Sequence, residues 1–235
     1  MRVDIWSDVV CPWCYVGKRR FESALARFPH ADGVEVVWRS FELDPFAPPS
    51  AAEPGDHAEH LARKYGTPLE RAKEMTAGVT AVAAAEGLDF RFDRYRRGNT
   101  FDAHRLLHLG LERGVQDELK ERLDHATFTE GLPVSDHGEL TRVAVEAGLE
   151  EPEVEAVLAS GRYSQEVRAD EDRARAYGIS AVPFFVIDGK YGVAGAQPAE
   201  YLLEALETAW RERSPITSLG PSDSAASCED DSCAL

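Results

Sequence analysis

The chain has 235 residues, 43% of them hydrophobic and 29% charged, enough for one substantial core or two small ones and too apolar for general disorder. A net charge of −16 excludes general nucleic-acid binding, which needs cationic surface against phosphate. No apolar stretch approaches membrane-spanning length, and nothing in the composition sets the oligomeric state.

A short apolar strand, Val3 to Trp6, opens the chain without the extended apolar region of a secretory leader, so a cytoplasmic protein is expected. Cys11-Pro12-Trp13-Cys14 follows, with a helical pattern beginning at Cys11. A helix N-terminus favours a thiolate, which makes Cys11 the expected nucleophile of thiol-disulfide exchange. Cys14, one turn further on, is the expected resolving residue. Pro12 suits the first helical turn because it sacrifices no useful N–H. Trp13 brings an indole donor but no ionisable group. Asp8 reads as a solvated turn residue, with a proton relay for the resolving thiol as the alternative. A lone CxxC is also half of a zinc site, and the remaining cysteines, Cys228 and Cys233, lie in a polar tail. In a reducing compartment paired cysteines are catalytic, redox-sensing or metal-binding.

Val34 to Trp38 completes a beta-alpha-beta unit, and Pro45, Pro48, Pro49 and Pro54 mark a way out of it. Helical signals then dominate from His57 to about Ser160. Thr67-Pro68 reads as cap and first position with Gly87 as stop, followed by Phe101 to Arg113 after Thr100, Asp117 to Phe128, Asp136 to Ala147, and Pro152 to Ala159. His104 and His108 share a helix face at i,i+4, a spacing able to hold a metal. No HExxH pattern accompanies them, and no metal is assigned. Asn99 or Thr100 serves as a helix cap. A helix over Ser164 to Tyr177 leads to a loop at Val182-Pro183, a buried strand from Phe184 to Ile187, an Asp188-Gly189 hairpin turn and a second strand. A helix from Pro198 to Arg211 follows, and residues after Ser214 are small and polar.

The segments VDIWSDVVCPWCYVGKRRFE, FELDP at Phe41 to Pro45, NTFDAHRLLH at Asn99 to His108, and GISAVPFFVIDGKYGVAGAQP from Gly178 to Pro198 resemble the DsbA-like branch of the thioredoxin superfamily. Within it the chain is similar to cytosolic FrnE-like oxidoreductases, relatives of kappa-class glutathione transferases and 2-hydroxychromene-2-carboxylate isomerases. The resemblance implies an α/β thioredoxin-like fold interrupted by a large all-helical insertion. Residues 1–50 and 164–214 would form the thioredoxin-like part, 51–163 the insertion, and 215–235 a flexible tail with a CxxxxC pair. It implies a cis Val182-Pro183 bond facing the CxxC, with the Val182 backbone offered to a substrate, and it brings His104 towards the active-site cleft, against a purely structural role in packing. Kappa and isomerase relatives typically carry serine at the Cys11 position, so both cysteines together argue for disulfide exchange with thiol or disulfide substrates, chiefly proteins. No dissociable cofactor is required, with glutathione as an optional co-substrate. Cys228 and Cys233 read as an accessory redox pair, a tail disulfide without function or metal-binding thiols, and the resemblance implies the first, since some FrnE-like proteins carry such an extension. The rival readings are a transferase or isomerase binding glutathione or an aromatic molecule, and a zinc-binding or redox-sensing protein.

Overall fold

The structure, a computed structural model, describes residues 1–48 and 57–213. Strand β1 (Arg2–Ser7) sends alternate side chains to opposite faces. Val3 and Ile5 enter one apolar cluster and Trp6 another. Helix α1 (Pro12–Arg27) returns the chain to β2 (Glu35–Ser40), which pairs parallel with β1. Strands β3 (Phe184–Ile187) and β4 (Tyr191–Ala194) close a sheet of order β2-β1-β3-β4, with β3 antiparallel to both neighbours. The three-residue connection between them places Asp188 and Gly189 at φ 52° and 66°, a left-handed pair that lets the Lys190 N–H close the turn on the Ile187 carbonyl at 3.0 Å.

Helices α2 (His57–Tyr65), α3 (Leu69–Ala85), α4 (Phe101–Arg113), α5 (Gln116–His125), α6 (His137–Glu146) and α7 (Glu151–Leu158) lie between β2 and α8 (Ser164–Ala176). A final helix, α9 (Ala199–Arg211), follows β4. One sheet face packs Val3, Ile5, Phe185 and Ile187 against Phe21 of α1 and Leu202 and Leu206 of α9. The other face packs Trp6 and Val186 against Ala174 of α8 and Ile179. The helices between β2 and α8 have their own core around Leu106, Leu109, Leu119, Leu123, Leu140 and Val157. Val9, from the loop after β1, is buried inside that core. The loop that leads into the CxxC is therefore anchored in the helical half.

Two details depart from the sequence reading. Pro68 is extended (φ −58°, ψ 147°) and stands at the N-cap, so α3 starts at Leu69, one position later than expected. The expected helix from Asp117 to Phe128 is α5 followed by a π-helical turn over Ala126–Glu130. Phe128 on that turn stacks against Tyr95, Phe90 and Tyr15 beneath the first turns of α1. Asp136 caps α6 as expected, accepting the Glu139 N–H at 2.9 Å. No helix among the described residues is long and apolar enough to cross a membrane.

Candidate active site

Cys11 is the N-cap of α1, extended at φ −94° and ψ 109°, and Pro12 holds the first helical position. The Cys14 N–H donates to the Cys11 carbonyl at 3.0 Å, which keeps the two cysteines within one turn. Both are free thiols. Cys11 retains 5% exposure and Cys14 none, whereas Trp13 between them is 43% exposed. Of the two thiols, only that of Cys11 belongs to a residue with any exposure. The Cys11 sulfur faces the Val182 carbonyl at 3.6 Å, and the Val182–Pro183 peptide is cis. Burial pushes the Cys14 thiol well up, and its hydrogen bond and electrostatic contact with Cys11 push the same way. The Lys120 ammonium and a hydrogen bond from the Asp8 backbone oppose that rise.

Pro183 is held from two sides. Its carbonyl accepts the Gly195 N–H at 2.8 Å. Its ring lies so close to Gly17 that a Cβ there would stand 2.9 Å from the Pro183 Cγ. Glycine is thus required in α1 by close approach.

Helix α5 brings a buried charge network to the underside of α1. Lys120 and Asp124 are both fully buried and ion-paired, and the Lys120 ammonium lies 5.3 Å from the Trp38 ring centre. Burial raises the Asp124 carboxyl to about 6, an effect that Lys120 and Lys18 restrain. Lys18, also buried, pairs with Glu22 and with Asp117 and Glu121 at 3.1 and 3.3 Å. Those carboxylates outweigh its burial and keep the ammonium strongly held. The Tyr15 hydroxyl donates to Glu121 at 2.7 Å.

His104 and His108 of α4 do not share a ligand. His104 Nε2 faces Asp8 Oδ1 at 3.4 Å. His108 Nε2 lies 3.2 Å from Asp170 Oδ2 and the same distance from the Ser40 hydroxyl. Burial works against the Asp170 carboxylate, but the contacts from His108, Arg39 and the Ser40 N–H overcome it and hold the group below its usual range. Each histidine of the i,i+4 pair therefore ties α4 to a different carboxylate. No group of three potential ligands gathers among the described residues. Asp8 is fully buried, which corrects its reading as a solvated turn residue. Its carboxylate accepts the Leu43 N–H at 2.8 Å and faces His104 instead of water.

A cleft of about 730 Å³ opens between α2, α3 and the Phe90 to Asp93 segment, lined by His57, Thr76, Thr80, Ala84, Phe90 and Phe92. His57 stacks on Phe92 at 4.5 Å and meets Tyr95 edge-on at 5.1 Å. The Tyr95 hydroxyl donates to the Val10 carbonyl, next to Cys11, at 3.2 Å. A chain of contacts through Tyr95 thus links His57 at the cleft to the residue before Cys11.

Cys11, Pro12, Trp13, Cys14, Val182 and Pro183 come together at this site, and His104 reaches it through Asp8. Cys228 and Cys233 lie outside the described residues. Gly17, Tyr95, Lys120 and Asp124 were absent from the sequence reading. The signal for the last two was an i,i+4 Lys/Asp pair, each member directly after one of the buried leucines Leu119 and Leu123.

A family profile described as the DSBA-like thioredoxin domain matches residues 2–207. The crystal structure of a probable DsbA oxidoreductase from Streptomyces coelicolor is 49% identical, with TM-score 0.87 over 100% of this chain and 99% of that one. The uncharacterized protein YwbO of Bacillus subtilis is 26% identical over 208 residues, covering 88% of this chain and 96% of YwbO. The cytosolic disulfide reductase DsbM from Pseudomonas aeruginosa, solved with GSH, is 17% identical and shares the fold, with TM-score 0.64 over 90% of this chain and 100% of that one.

Proposed function

The chain belongs to the DSBA-like thioredoxin domain family, and on that premise we propose that it exchanges disulfides with thiol substrates, Cys11 attacking and Cys14 resolving. The carrying observation is the inequality of the two thiols. Cys11 caps a helix N-terminus and keeps a little exposure, and the partial charge of the first turn assists a nucleophile there. Cys14 is sealed beneath it, positioned to attack only a sulfur already joined to Cys11. The Val182 carbonyl beside Cys11 supports extended peptide substrates, which pair through backbone groups. The aromatic-walled cleft supports apolar side chains flanking the substrate cysteine. No dissociable cofactor is needed, because the dithiol itself carries the electron pair. Glutathione is a suitable small co-substrate, and the scarcity of cysteine beyond the two pairs favours a cytoplasmic setting.

A Cys14→Ser variant incubated with a disulfide-bonded polypeptide tests this reading. It should accumulate a mixed disulfide at Cys11, while Cys11→Ser should be inert. Full turnover in Cys14→Ser would overturn the assignment in favour of a transferase or isomerase that needs one thiol.

A further inference from the structure

A cationic collar borders the dithiol of an otherwise acidic molecule. The net charge is −16, yet four arginines fall between Arg91 and Arg97. Arg91 is paired with Asp93. Arg97 Nη1 lies 3.3 Å from His60 Nε2 of α2, and Arg63 and Lys64 follow on that helix. Burial comes first in lowering the His60 ring below its usual range, and Arg97, Lys64 and Arg63 push the same way against Asp44. Glu59 pairs with Arg63 at 3.7 Å. Among the described residues, Arg94, Arg96, Arg97 and Lys64 have no carboxylate partner, and Arg94 and Arg97 are exposed.

Tyr95 fastens this collar to the site. Its hydroxyl donates to the carbonyl of the Val10–Cys11 peptide at 3.2 Å. Burial raises its phenol, Asp8 and Cys11 add to the rise and Arg97 opposes it, so Cys11 and Arg97 both lie within electrostatic range of one hydroxyl. Asn99, two residues beyond Arg97, donates to the Pro45 carbonyl at 3.5 Å, which lays the Leu43 to Phe46 segment alongside. Asp8 holds the Leu43 N–H at the other end of that segment. Leu43 is exposed and Phe46 is 94% exposed. The rim near Cys11 therefore sets cations without carboxylate partners next to open apolar side chains.

We propose that the collar docks an acidic segment flanking the cysteine of a polypeptide substrate, with Arg94, Arg96, Arg97 and Lys64 facing its carboxylates and Phe46 an apolar neighbour. The proposal rests on the exchange function above and names the substrate class for it. Charge complementarity carries it, because the net charge of −16 repels a carboxylate-rich chain from the rest of the surface and the collar draws it towards Cys11. An extended segment advances about 3.3 Å per residue, so carboxylates two to five positions from the cysteine stand roughly 7–17 Å from its sulfur. That reach extends past the Tyr95 ring to the arginines beside it. Exposed ion pairs add little affinity, so the collar acts chiefly on the rate of encounter.

The test is the second-order rate at which reduced full-length protein releases thionitrobenzoate from peptides that carry it on a single cysteine, followed by stopped-flow absorbance at low salt. Three peptides differ only two to five positions from the cysteine, holding Glu and Asp, Gln and Asn, or Lys. The acidic peptide should react about tenfold faster than the neutral one and the lysine peptide slower still. The ratio should shrink as salt shortens the screening length from about 10 Å at 0.1 M to about 3 Å at 1 M. Arg96→Gln/Arg97→Gln should bring the acidic-to-neutral ratio close to one, a readout from which any change in Cys11 itself cancels. Arg27→Gln/Arg211→Gln removes the same charge from the last residues of α1 and α9 and should keep the ratio. Equal acidic and neutral rates in the unmodified protein, or the same loss of ratio in both double variants, overturns the proposal. A preference that emerges only in Glu229→Gln/Asp230→Asn/Asp231→Asn gives the collar to the chain's own acidic segment and overturns it too, as does an Arg96 and Arg97 dependence seen with glutathione disulfide and not with the peptides. Should Arg96→Gln/Arg97→Gln fail to fold, the peptide order and its salt dependence in the unmodified protein decide. If release from every peptide survives Cys11→Ser unchanged, the exchange function itself fails, an outcome distinct from failure of the collar.

Discussion

Gly17 and Pro183 touch across the first turns of α1 so closely that a Cβ at Gly17 would stand 2.9 Å from the Pro183 ring. The proline ring cannot swing aside as a flexible side chain would. Gly17→Ala should therefore shift the Val182–Pro183 loop away from Cys11 and lower stability by about 1–3 kcal/mol, as overpacking does. Denaturant melts check the stability, and the rate of mixed-disulfide formation with a peptide disulfide should fall alongside it. A variant with unchanged stability and rate would show that the contact is not constraining.

The two thiols should differ in isolation. With Cys14→Ser, Cys11 should alkylate readily at neutral pH; with Cys11→Ser, Cys14 should react more slowly and only as pH rises, because burial holds its thiol up. Iodoacetamide labelling followed by intact mass measures both. Equal rates would place Cys14 at the surface.

Lys120 should matter to both stability and chemistry. Lys120→Met strands the Asp124 carboxylate in the interior, which costs about 3–5 kcal/mol when one partner of a buried pair is lost. The double variant Lys120→Met/Asp124→Leu should regain much of that stability by removing both charges. Its Cys14 should still titrate higher than in the parent Cys11→Ser background, because the cation facing the sulfur is gone. Recovery of stability without that titration shift would exclude Lys120 from the thiol's environment.

Acid titration should separate two buried carboxylates of opposite sign. Asp124 is raised to about 6 in the fold against about 3.9 unfolded. The native state thus holds the extra proton between about pH 4 and 6, and stability falls as pH rises through that window. Asp170 is lowered, so its contribution is present above about pH 3.9 and is lost as pH falls through its folded value. Urea melts from pH 3 to 7 should lose the first slope in Asp124→Asn and the acid-side loss in Asp170→Asn. Unaltered slopes would mean that neither group differs between folded and unfolded states.

Much of this was legible in the chain because local chemistry and tertiary fold agree. Asp188-Gly189 needs a turn with two left-handed residues, Asp136 needs an N–H three residues on, and Cys11-Pro12 opens a helix. Asp8 was misread because a polar residue in a short loop ordinarily meets water, and only the burial of Val9 in the helical core draws it inward. Lys120 and Asp124 have the spacing of a solvated surface pair, and their burial depends on how α5 meets α1 and Trp38. The π-helical turn at Ala126–Glu130 carries no residue that a regular helix refuses. Its extra residue is set by where Phe128 must stack, a tertiary demand.

The two histidines of α4 have a mechanical consequence. His104 is seated against Asp8 and, one turn on, His108 against Asp170, so tilting α4 away from the sheet would strip one neighbour from each of two buried carboxylates. Hinge opening between the halves is thereby opposed at two points along one lever, and a hinge needs at least one element free to pivot. On the proposed exchange function, a polypeptide substrate would accordingly have to present its cysteine at the rim beside Trp13 on a locally unfolded segment. Selection among such substrates would then fall on their local flexibility around the cysteine, with sequence second.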